Sequence, residues 1–341
     1  LKVAIIGSGW FGCHLAFQLK SRNISVRLFE QNNEIFSETS GKNTSKLHLG
    51  FHYPRSKVTR IQAKLNFERF LAAYPQMVVD TLSYYAIAKE DSLIDFDTYL
   101  DILDASKLSY EIIPLEKGNL FDVEGIIKTN EKNINNEIAK RFFSQQLDSS
   151  ITYNCKIQSI TPTSKSVEVN GEHFDFCINT TNNHFLPFRK SNVIYEQIVI
   201  PLYSTNNPLL SNASYVIMDG PFVSINPYYK KEQILISTYH TIFSILKKSL
   251  QAPPKFDLDE PEIQKAIRKI EESVVRYYPN FKLETQLVGY EITNRTKNKD
   301  SNANRECFIQ KENRVMHVFS GKISSIFNAE DAVLEWLKEK I

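Results

Sequence analysis

Gly7, Gly9 and Gly12 stand between a short apolar run with β-forming bias, residues 3–6, and a helical pattern carried by Leu15, Ala16 and Leu19. A strand, a tight turn and a helix in that order aim backbone N–H groups and the positive end of a helix dipole at one point, where a pyrophosphate binds. Ser8, Trp10 and Phe11 complete the turn. Glu30 ends a second strand pattern, 18 positions after Gly12, with Gln31 beside it. A carboxylate at that place accepts hydrogen bonds from ribose hydroxyls and repels a 2′-phosphate, so NAD or FAD is expected rather than NADP. Further on, His48 and His52 flank Gly50, and an imidazole that titrates near neutral pH suits a proton acceptor. Read as one strand, that segment puts both rings on one face. Arg295 and Arg305 adjoin strand patterns, and each can pair bidentately with a substrate carboxylate or phosphate. Tyr53, Tyr228, Tyr239 and His240 are candidate pocket residues.

The hydrophobic pattern names the elements that must hold these groups. The polar run 37–46, with Asn43, Thr44 and Ser45, is costly to order unless it binds something; it is expected to follow the pyrophosphate towards the reactive ring. Helices are expected over residues 58–74, 93–106, 134–147, 260–277 and 329–341, and in the first of them Arg60, Lys64, Glu68 and Arg69 read as a solvated face. Strands are expected at 81–88, 123–127, 151–160, 174–179, 287–293 and 314–319, and Asn170-Gly171 signals a hairpin. Short β-rich runs between 193 and 238 suggest a mainly antiparallel sheet. Nucleotide signatures at both ends and in the middle, with antiparallel material between, predict an α/β chain. A discontinuous Rossmann-like cofactor domain (1–80, 120–183 and 305–341) would carry an inserted substrate domain of β-sheet plus helices (81–119 and 184–304).

A chain of 341 residues with 42% hydrophobic content can fill two such cores. The net charge of +2 and the lack of a basic run give no electrostatic case for nucleic acid. Cys13, Cys155, Cys177 and Cys307 have no CxxC spacing, so neither zinc nor a redox dithiol is suggested and no metal site is expected. Without a long apolar stretch no transmembrane segment is expected, and the cytoplasm is the expected compartment.

Three separated matches resemble the FAD-dependent oxidoreductases of the D-amino-acid oxidase superfamily: the glycine turn with Glu30, the segment 43–53, and Ser320-Gly321-Lys322-Ile323-Ser324-Ser325. The second and third are most similar to the glycerol-3-phosphate dehydrogenase and L-2-hydroxyglutarate oxidase branch. Where the superfamily carries a glycine after its middle strand, this chain has Asn179-Thr180-Thr181. The resemblance implies that Lys156 or Ile157 meets the adenine, that Thr180 and Thr181 lie near the pyrophosphate, and that Ser45, Lys46 and Leu47 border the isoalloxazine together with Gly321, Lys322, Ile323 and Ser324.

It also implies an FAD-dependent dehydrogenase or oxidase that moves a hydride from a small hydroxy substrate (hydroxy acid, polyol phosphate or sugar derivative) to flavin N5. Lys322 and the backbone donors of Ile323 and Ser324 would stabilise the reduced state, and His48 or His52 would take the proton. Oxygen, a quinone or another acceptor would reoxidise the cofactor. Amino-acid or amine oxidation is the alternative within the family. An NAD-dependent dehydrogenase and a non-catalytic flavin- or nucleotide-binding protein are the alternatives outside it.

Overall fold

The computed structural model describes residues 1–185, 193–251, 257, 259–298, 307–319 and 322–339. Its first sheet has the spatial order Phe308–Glu312, Val315–Phe319, Phe176–Asn179, Lys2–Ile6, Ser25–Phe29 and Ile151–Thr152. All neighbours are parallel except the Phe308–Glu312 edge. A parallel sheet needs both faces covered, and alternate side chains divide the work. Val3 and Ile5 pack with Phe176, Met316 and the helices Trp10–Ser21, Lys57–Ala73, Asn136–Leu147 and Ile326–Lys338. Ala4 and Ile6 pack on the other face against Val167, Val169 and Phe174 of a small antiparallel meander.

The second sheet is nine-stranded and mostly antiparallel, and Val193–Thr205 pairs along nearly its whole length with Thr285–Asn298. Helix Glu260–Tyr277 lies on it through Ile263, Ile267, Ile270, Val274 and Tyr277, a spacing of one helical face. A three-stranded sheet of Lys46–Leu47, Lys132–Ile134 and Val78–Val79 connects the two bodies.

Several expectations shift. Strand Val123–Thr129, expected within the cofactor-domain piece 120–183, pairs with Leu82–Ala88 in the larger sheet and not in the dinucleotide sheet. The strand expected over 151–160 splits in two. Ile151–Thr152 joins the parallel sheet, Ile160–Pro162 joins the meander, and Asn154 turns the chain between them at φ +53°. In helix Lys57–Ala73 the buried face is Ala63, Asn66, Phe67 and Phe70, whereas Ile61 and Leu65 are exposed. Arg60 is not simply solvated. It donates to the carbonyls of Tyr53 and Pro54 and, at 2.9 Å, to Ser106 Oγ, which pins the loop before the helix. No described helix is long and apolar enough to cross a membrane.

Candidate active site

The glycine turn is a place where only glycine fits. Gly7 has φ +93°, and a Cβ on Gly12 would stand 1.8 Å from the Gly7 carbonyl oxygen and 2.9 Å from Thr180 Oγ1. Thr180 closes one side by donating its hydroxyl to the carbonyls of Ile6 (2.8 Å) and Gly7 (2.9 Å). Asn179 Oδ1 accepts the Thr181 N–H and hydroxyl at 3.1 and 2.7 Å. These hydroxyl contacts order the turn where the superfamily pattern has a glycine. On the other side Ser40 Oγ accepts the Trp10 N–H at 2.9 Å, so the loop 37–46 meets the start of helix Trp10–Ser21. The Trp10 ring turns into the core, its indole N–H donating to Asn136, whose amide in turn donates to Ser45 Oγ at 2.8 Å. The buried Glu30 carboxylate accepts the Ser8 N–H and hydroxyl at 3.0 and 2.5 Å and the Asn32 N–H at 2.9 Å. A turn whose Gly7 and Gly12 admit no side chain, set between a parallel strand and a helix with an acid fixed at its rim, fits the phosphate and ribose of FAD.

A cavity of about 450 Å³ runs from this turn to the face of the larger sheet. Gly9, Trp10, Phe11, Asn43, Thr44 and Thr180 line its nucleotide end, and Lys46, His48, His52, Tyr53, Lys322 and Ile323 line it further in. Tyr239 and Arg295 belong to the same wall. Gly7, Ser8, Gly12, Glu30, Gln31, Ser45, Leu47, Thr181 and Ser324 are not part of that lining. Two pocket candidates are packing residues instead. Tyr228 is buried among Ile200 and Leu202 with its hydroxyl donated to Gly41, and His240 Nδ1 accepts the N–H groups of Ile242 and Phe243 at 3.1 Å. Ile157 is buried against Phe29 and Phe174, outside the lining. Gly321 and Arg305 lie outside the described residues.

The strand expected to carry both histidines ends at Leu47. Gly50, at φ +133°, turns the backbone, and the turn brings the His48 and His52 rings into a stack with centroids 4.9 Å apart. Behind them lies a buried polar group that sequence reasoning missed. Glu131, fully enclosed, accepts the Leu49 N–H (2.7 Å), the Gly50 N–H (3.3 Å) and the Tyr85 hydroxyl (2.5 Å). Its Oε2 is 3.5 Å from His48 Nδ1 and 3.8 Å from Lys46 Nζ. Lys46 also donates to Ser83 and Ser214. Burial raises the Glu131 carboxyl, but the neighbouring His48, Lys46 and Tyr85 outweigh it and hold the group below its usual range. Burial lowers Lys46 to about 8. Burial, and then Lys322, push His48 down to about 4, so its ring is neutral at pH 7. Lys322 Nζ lies 4.6 Å from the Tyr53 ring centroid.

At the opposite wall Arg295 Nε meets Glu196 at 2.6 Å, and an Nη donates to the Tyr239 hydroxyl. Lys297 and Lys248 reach the same Glu196 carboxylate at 2.9 and 3.8 Å, which leaves this corner with more positive than negative charge. Arg55 pairs with Asp219 at 2.5 Å, and both line the cavity. Sequence reasoning also missed Arg55, Asp219 and Lys297. Lys297 alone had a local signal, two residues after Arg295 on an alternating strand.

Burial lowers His184 and His240 to about 4 as well, and lowers His14 and His317. An unfolded histidine takes its proton near pH 6.5, whereas the folded ones do so lower, His184 and His240 at about 4. The unfolded state therefore binds more protons between about pH 6.5 and 4, and stability present above that window is lost as pH falls through it. Urea unfolding at pH 7 and pH 5 should show a lower midpoint at pH 5. One full shift of this size corresponds to a loss on the order of 3 kcal/mol by pH 4; equal midpoints would contradict the assignment.

Residues 2–318 match the family described as FAD dependent oxidoreductase (DAO). The chain is 30% identical over 341 residues to FAD-dependent monooxygenase FPY4 of Fusarium mangiferae, covering 99% of this chain and 91% of that protein. In fold it is similar to glycine oxidase from Geobacillus kaustophilus (TM-score 0.78, 14% identity, 99% of this chain and 94% of that one). It is also similar to FAD-bound L-α-glycerophosphate oxidase from Mycoplasma pneumoniae (TM-score 0.75, 13% identity, 96% and 92%). Amino-acid oxidising enzymes recur among the other similar structures, so the likeness is to the family as a whole and not specifically to its glycerophosphate branch.

Proposed function

Because the chain belongs to the FAD-dependent oxidoreductase family, we propose that it oxidises a small anionic amine or amino acid, in the cavity shared by His48 and Arg295. The observation that carries this reading is the charge of the wall. Lys42, Lys46, Arg55, Arg295, Lys297 and Lys322 line the cavity, and Asp219 is the one acid among the described lining residues. Such a wall draws in a carboxylate or phosphate, and the guanidinium fork of Arg295 fixes its orientation. The prevalence of amino-acid oxidases among similar folds favours an amine over the hydroxy substrate expected from the segment 43–53.

When bound, FAD accepts a hydride from the substrate C–H. His48 accepts the proton that leaves the adjoining N–H, and Lys322 supplies positive charge to the wall where electron density arrives. In the resting protein burial, and then the positive charge of Lys322, weaken His48 as a base, and it is the Lys322 part that a bound anion can cancel. A substrate anion beside Lys322 offsets that effect and raises the imidazole towards its working range.

A hydroxy acid or polyol phosphate is the second reading, favoured by the neutral His48 ring, which can equally take a hydroxyl proton. Purified holoprotein mixed anaerobically with amino acids, N-methyl amino acids, hydroxy acids and glycerol phosphate tests both. Bleaching of the flavin absorption by an amine is the expected result, and bleaching by hydroxy compounds alone would overturn the first reading. The name of the Fusarium relative adds one measurement, incorporation of oxygen from O2 into the product, read by mass spectrometry.

A further inference from the structure

Glu131 sits where it can govern the proton inventory of His48. One oxygen, Oε1, takes the N–H groups of Leu49 and Gly50, the residues that follow His48, and so anchors the backbone that carries the ring. The other, Oε2, takes the Tyr85 hydroxyl at 2.5 Å and faces His48 Nδ1 at 3.5 Å. The Tyr85 oxygen is also 3.5 Å from Nδ1. Because Tyr85 gives its proton to the carboxylate, its oxygen presents lone pairs to the ring. Both neighbours of Nδ1 are therefore acceptors, and a neutral imidazole meets two acceptors best by placing its hydrogen on that nitrogen. Contacts of this length are common in a site without substrate and tighten when the substrate binds.

We propose that Glu131 is the positioning carboxylate of His48: with the Tyr85 hydroxyl it holds the imidazole as the Nδ1–H tautomer and so keeps Nε2 as the proton-accepting nitrogen. This rests on the reading of His48 as the base. Lys46 balances the carboxylate charge at 3.8 Å, and two of its three hydrogens go to Ser83 and Ser214. Glutamate is suited to the task because the ionised group only accepts. An amide in its place would offer N–H to Nδ1 and favour the opposite tautomer.

The test is Glu131→Gln in the FAD-loaded protein, where the amide oxygen can still accept the Leu49 and Gly50 N–H groups and preserve the turn. Histidine-selective 15N NMR, with the His48 signals identified through His48→Asn, should show protonated Nδ1 and unprotonated Nε2 in the parent protein at pH 7. The pattern should be lost in Glu131→Gln. Flavin reduction by substrate should fall about 100-fold, with a changed pH profile. The groups facing His48 that shape that profile are Glu131, Lys46, Lys322, Tyr85, His52 and Tyr53. Glu131→Asp should restore part of the rate, and Tyr85→Phe should weaken the tautomer preference if Glu131→Gln fails to fold. An Nε2–H tautomer in the parent protein, or a tautomer and pH profile unchanged in both variants, would overturn the proposal. An unchanged reduction rate in His48→Asn would remove the base assignment itself, and with it the catalytic purpose of Glu131. Loss of the tautomer in Glu131→Gln would then still report control of the ring.

Discussion

Gly12→Ala should yield a protein that no longer retains FAD. The added methyl carbon would stand 1.8 Å from the Gly7 carbonyl oxygen and 2.9 Å from Thr180 Oγ1, far inside van der Waals contact, and the first obstacle is backbone. The helix must then move away from the turn, which carries the N–H groups at its start away from the anion they would face. Overpacking of this kind costs about 1–3 kcal/mol, and the rigid obstacle places this case at the upper end. The flavin-to-protein absorbance ratio and a thermal melt check both parts. Gly171→Ala is the control. Its φ of +83° strains a side chain by about 1 kcal/mol, yet nothing lies within 4 Å of the added carbon, so FAD content should stay at the parent level. A fully loaded Gly12→Ala protein with the parent melting temperature would remove the turn from the cofactor site.

Arg295→Ala should abolish productive capture of an anionic substrate while leaving the flavin in place. Truncating one partner of a buried, hydrogen-bonded charge pair costs about 2–5 kcal/mol, so kcat/KM should fall by roughly 30- to 5000-fold. The protein should still fold, because Lys297 stays 2.9 Å from the Glu196 carboxylate and spares it from being buried unpaired. Arg295→Lys should recover only part of the loss, since an ammonium is a point charge and cannot form the paired contacts of a guanidinium. The discriminating comparison is between a substrate and its uncharged amide or ester. Only the charged compound should be sensitive to the substitution, and equal sensitivity of both would rule out an anion anchor.

Local features were legible in the sequence wherever neighbours along the chain decided the outcome. The glycine turn, the strand entering it and the helix Glu260–Tyr277 follow from glycine spacing, apolar runs and a 3.6-residue period. The site was legible only in part, because its chemistry depends on groups far apart. Nothing near residue 131 marks that glutamate as buried; its partners Lys46, His48 and Tyr85 come from two other segments. The alternation of His48 and His52 suggested a strand, but the positive φ of Gly50 overrode it and produced a stacked pair. Tyr228 and His240 have the chemistry of pocket residues, yet their polar atoms are taken by backbone groups. Residue type does not reveal which aromatic side chain faces a cavity and which fills a core.

The interleaved order of the parallel sheet also sets a timetable for biogenesis. Strand Lys2–Ile6 gains Ser25–Phe29 almost at once, but its other neighbour, Phe176–Asn179, must wait for the middle of the chain, and Val315–Phe319 comes later still. At translation rates of about 5–20 residues per second, roughly 15–60 s separate the first strand from the last. Throughout that interval Val3, Ile5 and Phe176 lack the Met316, Phe327 and Trp336 side chains that later cover them. A nascent chain would therefore present an unfinished apolar sheet to chaperones.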